Sequence, residues 1–130
     1  MKILCIGDSN TYGYDPRSYI GDRYPAEVRW TDRLENCDVI NFGVNGMTIP
    51  RAPSGAQRGF SAASPASSRY AGLIKLHEPD LVIVMLGTND LFSGLSARQI
   101  ADRMEAFLDS IMEAGKPILL ISPPVLQYGE

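Results

Sequence analysis

One histidine, two cysteines and no Cys-x-x-Cys pair in 130 residues leave too few soft ligands for a structural zinc site. No cofactor and no metal are expected. Positive charge is not in excess either. Twelve Lys and Arg against 15 Asp and Glu give a net charge of −3, and no basic cluster marks a nucleic-acid or anionic-membrane surface. No apolar stretch reaches the roughly 18 residues of a membrane span. The N-terminal run Ile3–Ile6 is shorter than a signal-peptide core, and no cleavage site follows it. These absences predict a soluble, cytoplasmic protein with no nucleic-acid partner. Also absent are the Gly-x-Gly-x-x-Gly and Gly-x-x-x-x-Gly-Lys-[Ser/Thr] loops that cradle nucleotide phosphates. The Asp-x-Asp pattern of aspartyl phosphatases is missing too, as is any internal repeat.

What is present fits one globular domain. Apolar residues make up 45% and charged residues 21%, and the length allows one core with little room for a second. Four apolar runs recur: Lys2–Ile6, Asp38–Phe42, Asp80–Leu86 and Pro117–Ser122. They are continuously apolar, as in strands covered on both faces. Helical spacing separates them. Ser96 and Gln99 form a capping box before Ile100, Met104, Phe107, Leu108, Ile111 and Met112, and Gly115 closes that helix. A second helix is predicted over Pro65–His77 and a weaker third around Pro25–Glu35. Residues 51–69, rich in Ser, Ala, Gly and Pro, read as a long exposed loop. Strands alternating with helices give an α/β fold with a parallel sheet. Cys5 and Cys37 read as reduced, buried thiols.

In such a sheet, ligands bind beyond the carboxyl ends of the strands. Three polar loops leave those ends: Gly7-Asp8-Ser9-Asn10, Asn41-Phe42-Gly43-Val44-Asn45-Gly46 and Gly87-Thr88-Asn89-Asp90. Each alone is an ordinary turn sequence. Together, at three successive strand ends, they converge on one rim and suggest acyl chemistry. A serine at a tight strand-to-loop turn can attack an acyl carbonyl. The oxyanion it creates needs preorganised N–H donors. The Ser9 N–H, a glycine N–H of the second loop and the Asn89 carboxamide could supply them.

These three segments, with the run Pro79–Asp90, resemble the first three blocks of the SGNH (GDSL) hydrolase superfamily. Glu27–Thr31 and Ile121–Pro124 further resemble its intracellular aryl-esterase and acyltransferase branch. The resemblance covers the whole chain. It implies a flavodoxin-like three-layer α/β/α sandwich and a serine esterase acting on small-molecule esters, by hydrolysis or by acyl transfer. It implies Ser9 as nucleophile, Gly46 (with Gly43 second) as oxyanion glycine, and Asn89 as oxyanion asparagine. Asp8, Asn10 and Asp90 would support the loops.

The family's fourth block, Asp-x-x-His, is missing. His77 precedes the third strand, so seven strand residues at about 3.3 Å each put it roughly 20 Å from Ser9. A general base must come within about 3 Å of its proton, or act through one water. His77 is better read as the end of a helix, where it meets the dipole. The fifth strand and last helix of the fold have no counterpart here either. Residues 1–130 are therefore expected to be one domain, incomplete on its C-terminal side, from a hydrolase of roughly 200 residues, a length the resemblance implies. Alone they would have little triad-type activity. If the chain is instead a natural short product, the apolar strand near Ile118–Ile121 leaves an open edge through which copies could associate. A non-catalytic binding or assembly module on the same scaffold is the alternative function. Tyr12, Trp30 and Phe92 are candidates for either pocket wall or core.

Overall fold

The computed structural model describes residues 1–51 and 65–124, the side chains of 65–68 excepted. Its elements run β1 (Lys2–Gly7), α1 (Ser9–Tyr12), a 3₁₀ turn (Trp30–Arg33), β2 (Asp38–Gly43), α2 (Pro65–His77), β3 (Leu81–Met85), α3 (Thr88–Phe92), α4 (Ala97–Met112) and β4 (Ile118–Leu120). The four strands form one parallel sheet in the order β2-β1-β3-β4. Such an order needs crossovers, and α2 and α4 supply two of them.

The apolar runs explain the layering. Alternate residues of β1 and β3 point to opposite faces. Leu4, Ile6, Val82 and Val84 pack with Ile74, Met104, Phe107 and Ile111 from α2 and α4. Ile3, Cys5 and Ile83 pack on the other face against Trp30, Leu34, Cys37 and Val39. Burying a side chain such as Phe107 or Leu4 contributes about 1.5–3 kcal/mol, and both are fully buried. The capping box of α4 is formed, Gln99 N–H donating to Ser96 Oγ and Ser96 N–H to Gln99 Oε1.

The expected helix around Pro25–Glu35 is only the 3₁₀ turn. Arg29 is extended (φ −69°, ψ 131°) and closes off any helix before Trp30. Of the apolar residues in this stretch Trp30 and Leu34 reach the core, with Thr31 buried beside them, while Glu27 and Val28 face outwards, too narrow an apolar stripe to hold a helix. Conversely, the turns after β1 and β3 are short helices, α1 and α3. Residues 52–64, most of the expected 51–69 loop, and residues 125–130 lie outside the described residues.

β4 forms one edge, with Leu119 and Leu120 about half exposed. No described helix is long and apolar enough to cross a membrane.

Candidate active site

Register brings the loops together. Gly7, at the end of β1, pairs with Gly43 of β2 and Met85 of β3. Neighbouring strands lie about 4.8 Å apart, so the segments beginning at Asp8, Val44 and Leu86 leave one rim side by side.

Ser9 opens α1, and its N–H has no intrahelical acceptor. Asp8 caps the helix, its Oδ1 accepting from the Asn10 N–H at 2.9 Å. Burial pushes the Asp8 carboxyl above its ordinary range against those bonds, and the Asp90 charge adds to the rise. Ser9 is half-buried and Asn10 exposed. The Asn10 carbonyl accepts from the Trp30 indole at 3.2 Å, tying α1 to the 3₁₀ turn.

Gly43 and Gly46 differ in kind. The Asn41 side chain folds back so that its Oδ1 accepts from the Gly43 N–H at 2.8 Å, while its Nδ2 donates to the Thr11 carbonyl and Thr31 Oγ1. A Cβ at Gly43 would lie 2.6 Å from Tyr12 Cα, so glycine there lets β2 approach α1. Gly46 has φ +75° and open space where a Cβ would be. Around it, the Val44 N–H bonds the Gly7 carbonyl and the Met47 N–H bonds the Val44 carbonyl. This turn presents Gly46 outwards.

The loop after β3 grips that turn. Asn89 Nδ2 donates to the Met47 carbonyl at 3.0 Å, which leaves its second N–H for another acceptor. Asp90, fully buried, accepts from the Ile49 N–H at 3.0 Å and lies 3.5 Å from an Arg103 guanidinium nitrogen. Sequence reasoning missed Met47, Ile49 and Arg103. The signal for Arg103 was its place three residues after Ile100 and four before Phe107, on the buried stripe of α4.

Hollows open beside this rim. A cleft of about 440 Å³ is walled by Ser9, Asn10, Tyr14, Tyr24 and Trp30. A larger cavity, about 1040 Å³, runs past Gly46, Met47, Tyr70 and Leu73 to Arg69 and Arg103. Phe92 is exposed and lines neither. Among the described residues no group of three or more His, Cys, Asp or Glu is placed to hold a metal. His77 ends α2 at the amino end of the sheet, where its carbonyl accepts from Lys2 Nζ at the start of β1, while its ring reaches along β2 to pack on Phe42.

The model of the GDSL-like lipase/acylhydrolase family matches residues 5–130. The chain belongs to this family. It is 27% identical to an arylesterase of Vibrio mimicus across 99% of its own length and 58% of that protein. It is also 27% identical to thioesterase 1/protease 1/lysophospholipase L1 of Escherichia coli, covering 98% of this chain and 53% of the relative. The chain thus spans a little over half the length of these curated relatives. Among solved structures, a carbohydrate acetylesterase family member from Sinorhizobium meliloti superimposes with a TM-score of 0.71 at 27% identity. That match covers 95% of this chain and 62% of the other. The family's α/β fold is therefore present from β1 to β4.

Proposed function

We propose that this chain carries the nucleophile and oxyanion hole of a serine ester hydrolase. The histidine and aspartate that complete the triad would lie in sequence beyond Glu130. One observation carries the reading. Three loops anchored at Gly7, Gly43 and Met85 put Ser9, Gly46 and Asn89 on one rim, and Asn89 is held by the loop that bears Gly46.

In the proposed reaction Ser9 Oγ attacks the ester carbonyl carbon and passes its proton to the histidine. The oxyanion is met by the Ser9 and Gly46 N–H groups and the free N–H of Asn89. The histidine then returns the proton to the departing alcohol, and water releases the acyl group from Ser9 by the same route. Gly43 supports the site without donating, because Asn41 already occupies its N–H. Asp8, Asn10 and Asp90 hold the loops.

The substrate class is a small ester with a short acyl group. The names arylesterase and carbohydrate acetylesterase among the relatives support that class. The net charge of −3 fits no nucleic-acid partner. The free thiols of Cys5 and Cys37 fit a reducing, cytoplasmic setting. The open edge at Ile118–Ile121 would be covered by further chain or, failing that, by a second copy. A non-catalytic module is the competing reading, favoured only by the lack of a histidine on this rim among the described residues. Hydrolysis of a chromogenic acetate ester by the native-length protein, abolished in Ser9→Ala, tests the two. Activity that survives the substitution refutes the esterase assignment.

A further inference from the structure

The guanidinium of Arg103 lies outside the three family blocks, yet it reaches their centre. Its nearest acid, Asp90, has no exposed surface, and Arg103 itself is about a quarter exposed. Asp90 spends its carboxylate on the Ile49 N–H, at 3.0 Å through one oxygen and 3.4 Å through the other. One residue earlier, Asn89 holds the Met47 carbonyl. The pair Asn89–Asp90 therefore clamps the loop at positions 47 and 49, directly after Gly46.

A buried carboxylate with a single N–H donor and no counter-charge is unstable in place. Without that counter-charge it would turn towards water, which loosens its hold on Ile49. Arg103 is the cation paired with Asp90, and it comes from α4, an element packed in the main core.

We propose that Arg103 is a positioning residue for the oxyanion hole. Through Asp90 it fixes the Ile49 N–H and with it the turn that aims the Gly46 N–H. The assignment rests on the esterase reading above. The helix of the hydrophobic core thereby sets the geometry of a catalytic loop it does not carry.

The test uses the native-length protein and three variants: Arg103→Met, Arg103→Lys and Arg103→Met in an Asp90→Asn background. Displacing a catalytic donor by about 1 Å can cost up to about a hundredfold in rate, so Arg103→Met should lower kcat about tenfold or more with KM little changed. Lysine should restore most of the loss. Asparagine at 90 keeps an acceptor for Ile49 without a buried charge, so Arg103→Met should then change kcat less than about twofold, a non-additive cycle expected of coupled residues. Amide hydrogen exchange supplies a readout independent of activity. The Ile49 amide should exchange faster in Arg103→Met while those of Val82 and Val84 do not.

Unchanged Ile49 exchange or unchanged kcat in Arg103→Met overturns the assignment. So does a rise in KM alone, which would put the guanidinium on the substrate, or a uniform loss of protection that includes the core strands. If the wild-type protein cleaves no ester and Ser9 takes no phosphonate, the esterase reading itself fails and carries this role down with it. Positive labelling with unchanged Ile49 exchange removes Arg103 alone.

Discussion

Asn89 donates a carboxamide N–H to the carbonyl of Met47 across 3.0 Å. This bond ties the loop after β3 to the loop after β2 and fixes the amide plane, so the remaining N–H has a set direction. On the proposed reading, replacing Asn89 by Ala should lower kcat about 10²–10³-fold in the native-length protein, the usual effect of losing one oxyanion donor. Serine phosphonylation rates in both proteins give the same comparison without turnover.

Gly43 and Gly46 should respond differently to alanine. At Gly43 the new methyl overlaps the backbone of α1, and the strain should cost about 3 kcal/mol or more. At Gly46 there is space but a left-handed backbone, a penalty of about 1–2 kcal/mol. Urea unfolding of the two variants would show this order. Activity should fall in both, in Gly46→Ala by more than its stability loss explains.

Asp8 gives a pH signature. Its carboxyl titrates above the ordinary 3.8 in the folded protein because it is buried. The folded state keeps a proton that the unfolded chain releases, so this group's contribution to stability is lost as pH rises from about 4 through the raised value. Asp8→Asn retains an acceptor for the Asn10 N–H without the charge. Its stability relative to wild type should therefore improve between about pH 4 and pH 7. Asp8→Ala loses the cap and should cost about 1 kcal/mol. Thermal melts across that range compare all three.

The two thiols should differ in reactivity. Burial, helped by the Asp32 charge, pushes the Cys5 thiol up to about 11. At pH 8 only about one part in a thousand is then thiolate, the reactive form. Cys37 is half-buried, its thiol donating to the Glu35 carbonyl. Iodoacetamide on the native protein should modify Cys37 first and leave Cys5 intact until unfolding, as peptide mapping would show.

Much of this architecture was legible before any coordinates. β1 and β3 are buried on both faces, so their unbroken apolar runs identify them without periodicity. The Ser96–Gln99 box marked the start of α4 because it is local chemistry. Pro25–Glu35 misled because the residues allow a helix, and only the tertiary packing shows that the sheet covers just Trp30, Thr31 and Leu34 of it. That the loops bearing Ser9, Gly46 and Asn89 leave one rim was legible from the order of the strand ends. The clamp on Met47 and Ile49 was not, since its partners are some 40 residues apart in sequence and the groups held at 47 and 49 are backbone, a carbonyl and an N–H, which no side-chain pattern marks. The occupied N–H of Gly43 was closer to reach. Asn-x-Gly commonly folds the asparagine side chain onto the backbone two residues on.

The central claim is that Ser9 is a nucleophile facing a formed oxyanion hole. Intact-mass measurement after treatment of the native-length protein with a fluorophosphonate tests it most directly. The account predicts a single adduct per chain, mapped to Ser9 and absent in Ser9→Ala. No adduct, or one that persists in Ser9→Ala, would contradict it.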